Sequence, residues 1–297
     1  MVSWLCKSAF FFVLCVVADR VIYTALSHGL ATYYGLNKDA QVLCVGYSHT
    51  VLGIDANALE RELDQPVAKY AMSGATIADR FQMIRHYLSL NPNVHTVIYD
   101  VDARLFDSDG ISSKSYTLLL PFIDHPIMAD YIRAKTTWEE YHINQLIKTT
   151  RFRDQTINQS VRGLINQIEN EKRGILVKKY YKKYIERETH QGIQLSIKDL
   201  KNFYNTINYL SSKGIKIILI YIPVIDFLNN TDRHKYHDII QLFHDIEEHN
   251  DNVIFLNYNP EYESQHNLFF DPQHLNYKGK RLITSRLAND LKKIMPE

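Results

Sequence analysis

Short, wholly apolar runs alternate with amphipathic stretches along most of the chain. Gln41–Gly46 (QVLCVG), Val67–Met72 (VAKYAM), His95–Val101 (HTVIYDV), Ile215–Ile222 (IKIILIYI) and Val253–Leu256 each read as a strand bounded by turn residues. Helical spacing of apolar positions runs through Ile54, Leu59 and Leu63, and again over Ala75–Leu90, Lys201–Ser212 and Tyr277–Ile294. Strands apolar along their whole length have both faces covered, and their alternation with helices makes them parallel. The pattern therefore predicts an α/β fold: a three-layer α/β/α sandwich around a parallel five-stranded sheet. From Asp107 to Thr189 the rhythm breaks into helical patterns with no strand, predicting a helical insertion at about 107–199, placed as a cap over the sheet's carboxyl edge.

The amino terminus departs from this pattern in another way. Ser8–Ala18 (SAFFFVLCVVA) carries no charge, with Lys7 before it and Asp19-Arg20 after it. Eleven residues are too few for a bilayer core that takes roughly 20 in a helix. The run becomes long enough if it starts near Val2, lets Lys7 snorkel, and continues through VIYTAL. The expectation is a signal-anchor over residues 1–26, a linker over 27–40, and an α/β domain within 27–297 lying outside the cytoplasm. An exported protein with a cleaved signal peptide, or a cytosolic one with a buried amino-terminal helix, is the alternative.

Composition narrows the classes further. With 34 Lys and Arg against 33 Asp and Glu, the chain has a net charge of +1, which excludes a globally basic nucleic-acid binder. Its 297 residues, with 11 Gly and 8 Pro, fit a globular chain and not a low-complexity one. Of three cysteines, Cys6 and Cys15 fall in the anchor, so Cys44 is alone in the domain and no disulfide scaffold is expected. The near-zero total hides one asymmetry: Lys172–Arg187 holds seven positive residues against one negative, Glu186. That net of +6 leaves −5 for the rest. With Tyr180, Tyr181 and Tyr184 between the charges, the segment reads as a solvated helix face or as a surface for anionic headgroups or an acidic glycan.

The chemistry-bearing residues cluster where strands end. Ser48, in Gly46-Tyr47-Ser48-His49-Thr50, sits between the first strand and a helix, where free amides can donate to a developing oxyanion. Near the other end, Asp271-Pro272-Gln273-His274 supplies a histidine that can take the serine proton and a carboxylate three residues earlier that can hold its ring. His49 is read as capping the helix, with substrate contact as the alternative. Asp102 and Arg104, after the third strand, pair with each other or touch substrate or the insertion. His234, His237 and His244 read as a solvated helix face, so neither metal nor cofactor is expected.

Together the Ser48 segment and the Asp-x-x-His segment resemble the SGNH (GDSL-type) hydrolase superfamily, over roughly 41–106 and 200–294. The resemblance implies Ser48 as nucleophile, His274 as base and Asp271 as orienting acid, with the amides of Ser48 and Gly74 (in Ala71-Met72-Ser73-Gly74) forming the oxyanion hole. One departure stands out. The family's third block supplies an asparagine donor, and here the stretch reads Tyr99-Asp100-Val101-Asp102-Ala103-Arg104. Losing such a donor costs about 3 kcal/mol of transition-state stabilisation, leaving Arg104, another group or a partner to replace it. Branches lacking this asparagine are similar to membrane-anchored proteins of alginate acetylation and lipoteichoic-acid D-alanylation. The expected activity is thus an extracytoplasmic serine esterase or O-acyltransferase acting on a cell-envelope glycan. Its partners would be an acylated glycan or acyl donor and, for transfer, a membrane acyltransferase. The contrasting expectation is a non-catalytic envelope protein binding glycan or a membrane partner on the same fold.

Overall fold

A computed structural model of the protein describes residues 2–107, 114–176, 193, 195–227 and 232–295. The first half runs α1 (Val2–Tyr33), β1 (Val42–Gly46), α2 (Ser48–Gly53), α3 (Ala56–Leu63), β2 (Val67–Ala71), α4 (Ile77–Leu90) and β3 (Thr96–Val101). Then follow α5 (Pro126–Arg133), α6 (Trp138–Leu146), α7 (Asp154–Leu164), α8 (Ile197–Ser212), β4 (Lys216–Tyr221), α9 (Arg233–Glu248), β5 (Val253–Asn257), α10 (Asn259–Tyr262) and α11 (Tyr277–Ile294). The chain divides into two compact units, residues 38–112 with 169–297 and residues 1–37 with 113–168.

The larger unit is the expected α/β sandwich. All five strands are parallel, in the order β2-β1-β3-β4-β5. Strands β1 and β3 are buried at every position, which is why they read as continuous apolar runs, whereas the edge strand β5 alternates. On one face Val42, Cys44, Ile98 and Ile218 meet Leu59 of α3 and Ile283, Leu287 and Leu291 of α11. The other face packs Tyr99 against Phe203 of α8, which in turn meets Phe243 of α9. Cys44 lies fully inside this core, and burial pushes its thiol up to about 12, so it is inert.

Two sequence boundaries shift for identifiable reasons. The pattern through Ile54, Leu59 and Leu63 is broken into two helices because Asp55 accepts a hydrogen bond from the Ala58 amide and starts α3 afresh. Helix α8 begins at Ile197, four residues before the expected Lys201, on the side chain of Ser196, which accepts from the Asp199 amide.

The smaller unit contains α1 and residues 114–168 of the insertion, whose regular elements are all helical. Residues 27–33 prolong α1, so the first half of the expected linker is helix. Residues 169–176 belong with the α/β unit and not with the insertion. Helix α1 is long and apolar enough to cross a membrane, but its two halves differ. Up to Val17 the described side chains are exposed, Phe10, Phe11 and Phe12 among them, whereas Leu30, further along, is fully buried. Asp19 and Arg20 tie the middle of the helix to the insertion. The Asp19 carboxylate accepts from the Lys148 and Thr149 amides and the Thr149 hydroxyl, and Arg20 donates to the Leu146 carbonyl. Beyond these contacts Val21 and Ile22 are still exposed, and the fully packed part of the helix lies further along, at Leu30. Helices α1 and α7 approach closely on small residues: a Cβ on Gly163 would lie 1.7 Å from the Gly29 carbonyl oxygen. The basic segment expected over 172–187 lies, from residue 177, outside the described residues.

Candidate active site

The strand order places a switch point between β1 and β3, where the chain leaves β1 toward β2 on one side and returns to β3 on the other. Ligand sites of such sheets lie in the crevice outside the carboxyl ends at that point. Residue register brings the right segments there: Gly46 pairs with Ala71, and Val45 pairs with both Tyr70 and Tyr99. Ser48 after β1, Gly74 after β2 and Asp102 after β3 thus leave the same edge of the sheet.

Ser48 is the first residue of α2, so its amide has no acceptor within the helix. Its Oγ lies 2.9 Å from His274 Nε2. The His274 Nδ1 is 2.9 Å from each carboxylate oxygen of Asp271. A tight turn before α11 makes this possible, because Asp271 Oδ1 also accepts from the amides of Gln273 and His274. Burial works to raise the Asp271 carboxyl, but the hydrogen bond and charge of His274 and those two amides outweigh it and hold it below the usual carboxylate range. The structure therefore brings Ser48, His274 and Asp271 into one continuous hydrogen-bonded line. Gly74 has φ of +84°, a conformation favouring glycine, and a Cβ there would meet nothing within 4 Å. Backbone conformation, not crowding, demands a glycine at that position.

Beneath the serine, close approach sets the geometry. A Cβ on Gly46 would lie 1.8 Å from Thr50 Oγ1 and 2.7 Å from Asp100 Cβ, so only glycine lets α2 settle onto β3. The Asp100 Oδ2 accepts from the Thr50 amide (3.1 Å) and hydroxyl (2.8 Å), while Oδ1 has no partner among the described residues. Arg80, almost fully buried, donates to the Asp100 carbonyl at 2.9 Å and lies 4.5 Å over the Tyr47 ring. Burial pushes the Asp100 carboxyl up to about 7 despite Arg80 and Thr50.

His49 does not cap α2, whose start has no side-chain cap. Its buried ring instead lies 5.6 Å from the His274 ring, with Nδ1 3.0 Å from Tyr47 Oη. Burial, and then the charges of His274 and Arg80, push His49 well below its ordinary value. It is neutral, and its 3.7 Å approach to Asp102 is not an ion pair. Tyr47 donates its hydroxyl proton to Asp102, so Tyr47 can only accept from His49, which places the imidazole proton on Nδ1 and the lone pair on Nε2. Burial drives Asp102 up to about 6, against the amide and charge of Arg104. The Arg104 amide donates to Asp102 at 2.6 Å, while its guanidinium reaches Asp107 at 3.4 Å, so the side chains of Asp102 and Arg104 do not simply pair with each other. Tyr47, Thr50, Arg80 and Asp100 are site residues that the motifs do not single out; a carboxylate inside an otherwise apolar strand is the one visible signal. His234 and His244 bond Asp238 and Glu247 on the exposed face of α9.

The raised Asp100 carboxyl predicts a pH signature. The folded state keeps a proton that the unfolded chain releases near 3.8. Stability from this group is full below that pH, is lost as pH rises to about 7, and is constant above. Asp100→Asn keeps an acceptor for Thr50 and cannot ionise. Thermal unfolding across this range should show the variant gaining on the parent with rising pH, by at most about 1.4 kcal/mol per pH unit. A pH-independent difference would refute the buried-acid assignment.

No protein-family model matches this sequence, and no curated protein matches it. Among solved structures, a Bacteroides fragilis protein described as an acylhydrolase aligns with TM-score 0.44 and 8% identity, over 85% of this chain and 86% of that one. A catalytic mutant of an acetylxylan esterase from Geobacillus stearothermophilus aligns with TM-score 0.41 and 9% identity, over 85% and 94%. A family two carbohydrate esterase from Clostridium thermocellum, in complex with cellohexaose, aligns with TM-score 0.39 and 10% identity, over 85% of this chain and 63% of that one. Likeness this distant carries no functional weight, and the assignment of chemistry rests on the hydrogen-bonded line from Ser48 to Asp271.

Proposed function

We propose that the protein is a membrane-anchored serine esterase or O-acyltransferase that works outside the cytoplasm on a cell-envelope glycan, through an acyl-enzyme on Ser48. The observation that carries this reading is the 2.9 Å contact of Ser48 Oγ with His274 Nε2, continued through Nδ1 to Asp271. His274 takes the Ser48 proton as Oγ attacks the ester carbonyl, and returns it to the departing alcohol oxygen. A water molecule or a glycan hydroxyl then gives its proton to His274 and attacks the acyl-enzyme, and His274 passes that proton to Ser48 Oγ as its bond to the acyl group breaks. The amides of Ser48 and Gly74 are the proposed donors to the oxyanion. His49, with its Nε2 lone pair, is a proposed acceptor for a substrate hydroxyl, and Asp102 holds it there through Tyr47. Arg104 stays a proposed contact of lesser standing because its guanidinium is engaged by Asp107.

The anchor favours a substrate at the envelope, and transfer would need an acyl donor delivered by a membrane acyltransferase. The expected result is covalent labelling of the folded full-length chain by a fluorophosphonate probe, lost in Ser48→Ala and in His274→Ala. A missing third-block asparagine favours the second reading, a non-catalytic glycan-binding protein. Absence of labelling in the parent chain would decide for it.

A further inference from the structure

Helix α6 presents an apolar face that nothing in its unit covers. Trp138 and Leu146 are each 72% exposed, and Ile143 and Ile147 are exposed as well. Trp138, His142 and Leu146 recur every four residues and so form one stripe along the helix, with the Trp138 and His142 rings stacked 4.1 Å apart. This stripe ends at the foot of the exposed apolar half of α1. The Leu146 carbonyl accepts from the Arg20 guanidinium at 3.1 Å, and the next two amides but one, Lys148 and Thr149, donate to Asp19.

Asp19 and Arg20 are the first charges after the apolar run that ends at Ala18, and charged side chains stay out of the hydrocarbon. From Val2 to Ala18 a helix rises about 25 Å at roughly 1.5 Å per residue, less than the ~30 Å of a bilayer core. A run this short draws its flanking residues into the interface. Those residues carry what an interface takes: Trp138 and Tyr141, the exposed leucine and isoleucines, and the cations Arg20 and Lys148, the latter 4.7 Å over the Tyr23 ring.

We infer that α6 is a membrane-surface helix, lying with its Trp138–Leu146 stripe in the headgroup region of the leaflet at which α1 emerges. The inference rests on the reading of α1 as a bilayer anchor. It gives the protein a second hold on the membrane that restrains its smaller unit against rotation about the anchor.

The two tryptophans of the chain, Trp4 and Trp138, make the test direct. The full-length Trp4→Phe chain, reconstituted into equimolar phosphatidylethanolamine and phosphatidylglycerol vesicles, carries Trp138 as its single indole. The expected result is flotation with the vesicles, blue-shifted emission, loss of most of that emission to lipids brominated near the glycerol region, and protection from acrylamide. Ile143→Ser with Leu146→Ser should weaken the lipid quenching while the chain still floats. Flotation with Trp138 open to acrylamide and untouched by brominated lipid would overturn the inference and leave the stripe to a protein partner. Failure to float would overturn the anchor itself, and the inference with it.

Discussion

Ser48→Ala will lower hydrolysis of p-nitrophenyl acetate by about 10⁴-fold or more, to the residue left by binding and oxyanion donors. The reason is the geometry of the line: Ser48 Oγ, His274 and Asp271 are joined by contacts of 2.9 Å, so each group has a role only while the others are present. His274→Ala should therefore cost as much as Ser48→Ala, and the double variant no more than either. Additive losses would show that the residues do not act as a unit, and unchanged turnover in Ser48→Ala would remove the nucleophile altogether. The parent rate itself is expected to be modest. With no third-block asparagine the hole lacks a donor worth about 3 kcal/mol, and neutral His49, whose one ring proton is held by Tyr47, cannot supply it. An oxyanion needs a hydrogen, whereas a glycan hydroxyl can give one. The same neighbourhood that weakens hydrolysis suits the holding of an alcohol, which is why transfer stays beside hydrolysis in the proposed reaction.

How far the sequence discloses this site depends on whether the cause is local. Strands such as Ile215–Ile222 are legible because burial on both faces leaves a run without polar residues. Ser48, Asp271 and His274 are legible through the joint resemblance of their two segments to the SGNH motifs, since neither segment alone singles out its chemistry. Tyr47 and Asp102 are 55 positions apart and meet through strand register, which no spacing expresses. The same holds for Arg80, whose guanidinium reaches the Asp100 carbonyl across the sheet edge. In the smaller unit, the Gly29 and Gly163 approach depends on which helices pack, and neither glycine marks itself in a helical pattern. In α1 apolarity makes the long helix legible, but the hydrogen bonds that tie Asp19 and Arg20 to residues 146–149 join positions far apart in sequence. Inconspicuous residues, such as Thr50 in α2, carry geometry that composition cannot reveal.

The largest stability effect is expected at Glu169, which the sequence leaves inconspicuous. Its Oε2 accepts from Lys69 of β2 at 2.7 Å and from Lys280 of α11, and its Oε1 accepts from the Ala56 amide at 3.0 Å. Lys69 also donates to the Ile54 carbonyl and Lys280 to that of Asn170, each at 2.9 Å. Lys280 is only 2% exposed and Glu169 15%. Burial works to raise the Glu169 carboxyl, yet the two ammonium groups hold it down at about 2. Lys280 is also lowered, by burial first and by Lys69 next, against the pull of Glu169. One carboxylate thus serves two cations. Glu169→Ala strands both charges and should cost about 3–5 kcal/mol. Glu169→Gln, which keeps an acceptor for Ala56, should also be strongly destabilising. If charge is the cause, adding Lys280→Met to Glu169→Gln restores much of the loss; if shape is the cause, the second change only deepens it. The sign with pH follows from the depressed carboxyl. Its contribution is complete above 4.5 and is lost as pH falls to about 2, so the parent should lose more stability across that window than Glu169→Gln, and the gap between them should narrow. Because Ile54 and Ala56 form the corner between α3 and the helix that begins at Ser48, loosening Glu169 should also slow fluorophosphonate labelling at temperatures where the chain is still folded. Labelling at the parent rate, in a variant of reduced melting temperature, would confine Glu169 to stability and leave the serine's position to Gly46, Thr50 and Asp100.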